Sequence, residues 1–201
     1  MGKKIKIKVN HFEGKEEMPK YEITKGSISD LMQKEDVSLA ESFLSCDCIV
    51  LFDVSGSMDN TDGTGKTRFD RGCDQLRELQ ASMPGKIAVV QFSDTVRFMP
   101  GGVPTFSGGM TDLAAGLRFI RVADVPDMRF IVISDGAPDS EAMALHEAGK
   151  FTEKIDTVYI GREGGEGRDF LSRLAKASGG KSIASAAENI KQDVVYLLNA
   201  G

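Results

Sequence analysis

The sequence contains no long uninterrupted run of apolar residues, so it predicts no transmembrane helix and no membrane partner. Its first residues carry lysines, but no apolar segment or small-residue cleavage site follows, so no secretory signal is predicted and a cytoplasmic location is expected. The formal net charge is −5, which argues against nucleic acid as the main partner. The stretch "KKIKIKV" is interpreted as a strand with one lysine-lined wet face rather than as a nucleic-acid-binding strip.

Cysteine and histidine are also scarce, with three and two residues. Cys46 and Cys48 lie two positions apart at the start of an apolar run, which suits small core residues better than a disulfide framework. No second cysteine pair or histidine cluster accompanies them, so a zinc or redox site is not predicted. His11 and His146 are isolated and are interpreted as surface or partly packed residues.

A length of 201 residues suits one domain with a full core and a short appendage. Residues 1–45 are predicted to be an N-terminal extension, a strand pair at "KIKIKV" and "KYEIT" followed by a short helix around "SLAESFLS". This stretch has few large apolar groups, so it is expected to pack on the main domain at 46–201 rather than to fold alone.

From Cys48 onward, strand-like and helix-like segments alternate, which predicts an α/β fold with a doubly wound, Rossmann-like and mostly parallel sheet covered by helices on both faces. "TVRFMP" follows the strand "KIAVVQFS" so closely that the two should form a hairpin, with the second as an antiparallel edge strand. Residues 68–83 carry apolar side chains at helical spacing. Ser140 is predicted to cap a helix "EAMALHEAGKFTEK", and Gly179 to end another at "RDFLSRLAKAS".

The stretch "IVLFDVSGSMDNTDGTGKT" is compatible at first sight with three kinds of site. The "GTGKT" at its end resembles a phosphate-binding loop, but that motif needs a glycine where this chain has Asn60. Asp53 could be a phosphorylated nucleophile, but such phosphatases carry an acid/base aspartate two positions later, where this chain has Ser55. Both interpretations therefore lack a required residue.

The third interpretation is a metal site. Asp53, Ser55 and Ser57 occupy alternate positions on a turn that leaves a buried strand, so their oxygens can converge. Magnesium takes about six oxygen ligands and keeps some waters, which hydroxyls and a carboxylate can supply in part. Thr111 in "GGMTD" and Asp135 in "SDG" would reach the same crevice, at the carboxyl ends of the strands.

These three motifs, in this order, resemble the metal-ion-dependent adhesion site (MIDAS) of von Willebrand factor A domains, over residues 47–200. The resemblance is to stand-alone bacterial or phage-type proteins with an intact MIDAS. It implies that Ser55, Ser57 and Thr111 offer hydroxyls to a metal directly or through water, while Asp53 and Asp135 act largely through waters. The implied metal is Mg²⁺, with Mn²⁺ or Ca²⁺ as alternatives.

The leading hypothesis is a non-enzymatic adaptor or scaffold module. Neutral hydroxyl ligands leave a dication with much of its charge, so a partner protein's Asp or Glu can complete the shell. The family resemblance suggests an AAA+ ATPase or a larger assembly as the partner. The alternatives are a metal-dependent phosphoesterase or other hydrolase using the same site, for which no general base or nucleophile is recognised, and a purely structural subunit of an assembly.

Residues around the motifs are assigned lesser roles. Asp112 is predicted to start a helix beside Thr111. Partner specificity is assigned to the loop "GREGGEG" at 161–167 and to Met58, both expected at the same edge of the sheet, with filling a gap in its own loop as an equal alternative for Met58. The remaining loop carboxylates are interpreted as solvated: Asp59, Asp62 and Asp139.

Overall fold

The computed structural model describes residues 22–33, 38, 40, 42, 45–61 and 65–200. One sheet contains the strands β1 Cys48–Asp53, β2 Ile87–Phe92, β3 Val96–Met99, β4 Arg129–Ser134, β5 Ile155–Tyr159 and β6 Ser182–Ala184. The α-helices with described bounds are α1 Ile28–Met32, α2 Arg68–Ser82, α3 Leu113–Ile120, α4 Glu141–Ala148, α5 Glu166–Ser178 and α6 Ile190–Asn199. Short 3₁₀ turns occupy Gly56–Asp59, Arg121–Ala123 and Ala187–Asn189.

The strand order is β3-β2-β1-β4-β5-β6. β1 pairs in parallel with β2 on one side and with β4 on the other, and β5 and β6 continue the parallel sheet. β3 pairs antiparallel with β2 at the edge. This architecture confirms the predicted α/β class, including the single antiparallel edge strand.

The sheet separates two apolar clusters because successive side chains of a strand point to opposite faces. On β1, Ile49 and Leu51 belong to one cluster. Cys48, Val50 and Phe52 belong to the other. Every residue of β1 is buried, which explains why its sequence is a continuous apolar run ending in one aspartate.

The strand order reverses at β1, because the chain moves to β2 on one side and reaches β4 on the other. In doubly wound sheets, ligand crevices form beyond the carboxyl ends of the strands at such a switch point. Asp53 ends β1 and Ser134 ends β4, and the register pairs the preceding residues, Phe52 and Ile133. The topology therefore brings the "DVSGS" and "SDG" motifs to one place.

One helix is shorter than the sequence predicts. Ser140 caps α4 as expected, accepting the Met143 amide at 3.3 Å, but the helix ends at Ala148 instead of extending to position 154. Phe151 leaves the helical path to pack edge-on against Phe130 of β4, with ring centroids 5.0 Å apart. The helix also stops at a glycine, because Gly149 is its C-cap residue, so a local stop signal and a tertiary contact coincide here. By contrast, α5 ends as predicted, with Gly179 in the left-handed conformation.

The described part of the predicted extension contacts the loop after edge strand β3. Ile23 forms an antiparallel bridge with Gly102, and the Thr24 amide donates to the Gly101 carbonyl at 3.0 Å. The predicted strand "KIKIKV" lies outside the described residues, as does much of the helix around "SLAESFLS", where Ala40 and Ser42 are helical. The division into 1–45 and 46–201 stays a prediction. In the described part of the chain, no helix has the length and apolar character needed to cross a membrane.

Candidate metal centre

Asp53 is completely buried at the carboxyl end of β1. Its Oδ1 accepts the Ser55 amide at 2.8 Å, and its Oδ2 accepts the Ser134 hydroxyl at 2.6 Å. Burial raises the pKa of Asp53 to about 6, although the bonds from Ser134 and Ser55 oppose this shift. Burial thus disfavours the charged form of Asp53, and a cation bound beside it would stabilise that form.

Ser55 and Ser57 lie on the turn that follows. Their hydroxyl oxygens are 3.2 Å apart and share a hydrogen bond. Ser55 is buried, whereas Ser57 is exposed, so the pair connects the buried Asp53 with the protein surface. The 3₁₀ turn Gly56–Asp59 begins here and carries Ser57 outward.

Asp135, which directly follows β4, joins the same cluster. Its Oδ1 accepts the Ser57 hydroxyl at 2.6 Å, and its Oδ2 accepts Arg68 Nη1 at 2.5 Å. The Asp135 side chain is fully buried and that of Arg68 is 10% exposed. Arg68 is the first residue of α2, where the capping residue Thr67 accepts the Asp70 amide at 3.0 Å. The cluster therefore contains two carboxylates and one guanidinium.

The loop that precedes α3 packs against the serine turn through main-chain bonds. The Gly56 amide donates to the Gly109 carbonyl at 3.1 Å, and the Gly108 amide donates to the Val54 carbonyl at 3.0 Å. Gly109 has a φ of 83°, and a Cβ there would lie 2.1 Å from Asp94 Oδ2. A residue with a side chain would therefore disturb this loop.

Thr111 follows in the same loop and is half-buried. Its amide donates to Asp139 Oδ1 at 3.1 Å and Oδ2 at 3.2 Å, and the Asp139 amide donates to the Thr111 carbonyl at 3.1 Å. These bonds fix the main chain and leave the hydroxyl available. Among the described residues, that hydroxyl has no hydrogen bond to the other four predicted ligands. Thr111 is positioned near them by the main-chain bonds between its loop and the serine turn.

The donor set fits a small divalent cation. Adjacent ligands around magnesium, each about 2.1 Å from the metal, are about 3 Å apart in an octahedron. The hydroxyls of Ser55 and Ser57 have nearly this separation, 3.2 Å. Among the described residues, no group of three or more His, Cys, Asp or Glu side chains could hold a metal. A cation here would therefore depend on hydroxyl oxygens, as the sequence motifs predict.

Other residues assigned from sequence have mixed outcomes. Asp112 is confirmed as a helix-start residue, since its Oδ1 accepts the Ala115 amide at 2.9 Å. The assignment of Met58 to a contact surface is wrong, because Met58 is completely buried in an apolar cluster. Asp59 is exposed, and Asp139 is exposed but also anchors Thr111. Asp62 and His11 lie outside the described residues.

Sequence reasoning missed Arg68 and Ser134. Arg68 is separated from its partner Asp135 by 67 positions, and Ser134 from Asp53 by 81. Ser134 directly precedes the aspartate of "SDG", which was the only local signal for it. Arg68 gave no such signal, because a basic residue at the start of a helix is usually a solvated surface group.

No protein-family model matches this chain, and no curated protein matches it. Solved structures do match. An aerotolerance-related membrane protein from Bacteroides fragilis is 13% identical with a TM-score of 0.59, over 77% of this chain and 98% of that one. A von Willebrand factor type A protein from Catenulispora acidiphila is 16% identical with a TM-score of 0.55, over 75% of this chain and 41% of that one.

A third similar structure is proximal thread matrix protein 1 from the mussel byssus, with a zinc-occupied MIDAS motif. It is 20% identical with a TM-score of 0.55, over 77% of this chain and 47% of that one, so this chain spans about half of the mussel protein. Similarity at these identities establishes the fold. The chain has the Rossmann-like α/β fold of von Willebrand factor type A domains.

Proposed function

We propose that this chain is a metal-dependent protein-binding module of the adaptor or scaffold type. In this proposal Asp53, Ser55, Ser57, Thr111 and Asp135 hold a divalent cation, Mg²⁺ first and Mn²⁺ or Ca²⁺ as alternatives. A partner protein supplies an Asp or Glu to complete the metal's shell. The proposed partner is an AAA+ ATPase or a component of a larger assembly, and the proposed setting is cytoplasmic.

The observation that carries the proposal is the continuous hydrogen-bonded cluster at the switch point. Asp53 accepts the Ser55 amide, the hydroxyls of Ser55 and Ser57 are in contact, and Ser57 donates to Asp135. Hard cations such as magnesium prefer oxygen ligands of this kind. The zinc-occupied MIDAS of the mussel protein, on the same fold, supports a divalent cation as the ligand class.

The charges of the cluster favour an anionic partner. Asp53 and Asp135 are each negative when ionised, and Arg68 offsets one of them at 2.5 Å. A bound dication would therefore outweigh the remaining negative charge, and it would act as a Lewis acid that attracts a further anionic oxygen. Ser57, the exposed member of the cluster, marks the side from which a partner carboxylate would approach.

The surroundings of the cluster favour binding over hydrolysis. His146 is exposed in the last turn of α4, and the three cysteines are buried. Neither group supplies a nucleophile or a general base to the cluster. Asp53 already accepts two hydrogen bonds and has no exposed surface, which suits support of a cation rather than attack on a phosphate ester.

The test compares partner capture from a lysate by wild type and by Thr111→Ala, each with magnesium and with EDTA. Partners retained by wild type with magnesium and lost under the other three conditions would support the proposal. Equal retention under all four conditions would show that the metal site is not the binding surface. Phosphate-ester turnover that Asp53→Asn abolishes would favour the hydrolase instead.

A further inference from the structure

A cavity of about 400 Å³ lies beside the candidate metal centre. Arg68 and Arg162 provide its charged lining, and the other lining residues are small or apolar apart from Thr61. Among the described residues no acidic side chain lines it, in a chain with a net charge of −5. Arg68 is paired with Asp135, so among the described lining residues Arg162 supplies the uncompensated positive charge.

Two contacts fix the cavity next to the metal centre. Arg68 belongs to the cavity and to the metal centre, because it lines the cavity and donates to Asp135. Gly161, another lining residue, approaches Asp135 so closely that a Cβ there would lie 2.5 Å from the Asp135 carbonyl oxygen. A ligand held at the metal centre would therefore have the cavity directly beside it.

Arg162 is the accessible arginine of the pair. It is exposed, and in the described ranges its guanidinium forms no ion pair. Its carbonyl accepts the Tyr159 hydroxyl at 2.9 Å, which ties its main chain to β5. The main chain is thus anchored while the guanidinium is left without an acidic partner.

We propose that this cavity is a second anion subsite that binds another acidic side chain of the same partner segment whose carboxylate reaches the metal centre. The proposal rests on the proposed function and adds a sequence preference: the partner carries two nearby acidic residues. Arginine suits this role because its planar fork forms paired, charge-assisted hydrogen bonds with a carboxylate. Arg68 contributes long-range charge, since Asp135 occupies one edge of its guanidinium.

The extent of the subsite is limited on its far side. Glu163 lines a neighbouring cavity of about 350 Å³, which shares Gly161 with the first. Arg168 also lines that cavity and offsets Glu163, so a further acidic group of the partner would gain no net attraction there. The preference should therefore hold for two acidic residues at a short, defined spacing and should not grow with a longer acidic run.

The experiment titrates ¹⁵N-labelled protein in magnesium with amidated five-residue peptides in a Gly/Ser background. One peptide carries a single Asp, and the others carry two Asp separated by none, one or two residues. The two-Asp peptide with the matching spacing is expected to bind about tenfold more tightly than the single-Asp peptide. A gain of this size corresponds to one charge-assisted hydrogen-bond pair. Arg162→Ala should abolish this preference, and Arg162→Lys should restore part of it.

Arg97→Ala is the matched control, because it removes the same charge from an exposed position on β3. It should leave the preference intact. A preference that survives Arg162→Ala, or that Arg97→Ala removes equally, would overturn the subsite while leaving the metal-dependent module in place. The subsite would also be overturned if the single-Asp peptide bound in magnesium and no two-Asp peptide bound more tightly. Failure of the single-Asp peptide to bind would refute the proposed function, and the subsite with it.

Inorganic phosphate provides the remaining comparison: its binding is measured from the Arg162 side-chain signal in EDTA, which keeps phosphate off the metal, and its displacement by the two-Asp peptides is then measured in magnesium. Saturable phosphate binding that no two-Asp peptide displaces would reassign the cavity to phosphate and overturn the peptide proposal. Displacement of bound phosphate by the preferred two-Asp peptide, at the spacing selected in magnesium, would support it.

Discussion

Arg68 Nη1 lies 2.5 Å from Asp135 Oδ2, and this buried ion pair joins the first residue of α2 to the end of β4. The Asp135 side chain is fully buried, so its charge depends on groups inside the protein for compensation. Ser57 donates to the other oxygen of the same carboxylate. Arg68 therefore holds in place an acidic group that the candidate metal centre also needs.

Arg68→Gln is expected to lower the free energy of unfolding by about 3 kcal/mol in EDTA, because it leaves a buried carboxylate without its counter-charge. Magnesium should recover part of this loss, since a dication at the cluster would compensate Asp135. The measurement is chemical denaturation with and without magnesium. Arg77→Gln, which breaks a half-exposed pair with Glu22, is the control and should cost about 1 kcal/mol or less. An equal loss for Arg68→Gln in both buffers would contradict the prediction.

Asp53→Asn should separate metal binding from folding. Asn keeps the shape of the side chain, and it removes a buried charge whose cost is reflected in the pKa raised to about 6. The variant should therefore melt no lower than wild type in EDTA, and the melting temperature should no longer rise when magnesium is added. Asp59→Asn, at an exposed position, should behave as wild type. A magnesium-induced rise that persists in Asp53→Asn would remove Asp53 from the site.

Thr111→Val should weaken Mn²⁺ binding about tenfold, in the range seen when groups that support a metal are removed. The main-chain bonds between Thr111 and Asp139 remain in this variant, so the loss would report on the hydroxyl. Thr111→Ser retains the hydroxyl and is expected to bind nearly as wild type. Mn²⁺ EPR gives the affinities of both variants directly. Equal weakening in Thr111→Val and Thr111→Ser would indicate a change in the loop conformation and not the loss of the hydroxyl.

The three cysteines should resist alkylation in the folded protein. All are free and buried. Burial raises the pKa of Cys46 to about 11 and that of Cys73 to about 12, and it raises the pKa of Cys48 further still, so little thiolate is present near pH 8. Iodoacetamide labelling followed by mass spectrometry should detect modification only after denaturation. Ser172→Cys, at an exposed position of α5, provides a reactive reference in the same molecule, and a native cysteine labelled as fast as this one would contradict the prediction.

Local patterns in the sequence predict the fold class and the type of several elements. The apolar run before Asp53 is a fully buried central strand, and the short segment "TVRFM" is an antiparallel edge strand. These predictions succeed because burial and turn chemistry act over a few neighbouring residues. The end of α4 is predicted wrongly, because the predicted helix runs through Gly149, which is its C-cap residue, and past the contact between Phe151 and Phe130.

For the candidate site, the sequence by itself determined the supply of oxygen-bearing residues and their spacing along the chain. Only the tertiary structure decided which groups meet, because the strand order places the end of β1 beside the end of β4. That order brings Asp53 to Ser134, and the packing of α2 on the sheet brings Arg68 to Asp135, across separations of 81 and 67 positions. The fold also buries Met58, which decides between the two alternatives that the sequence leaves open for it, a contact surface and the filling of a gap. Contacts between distant segments depend on how elements pack, so the charge balance of the site follows from the fold and not from the motif.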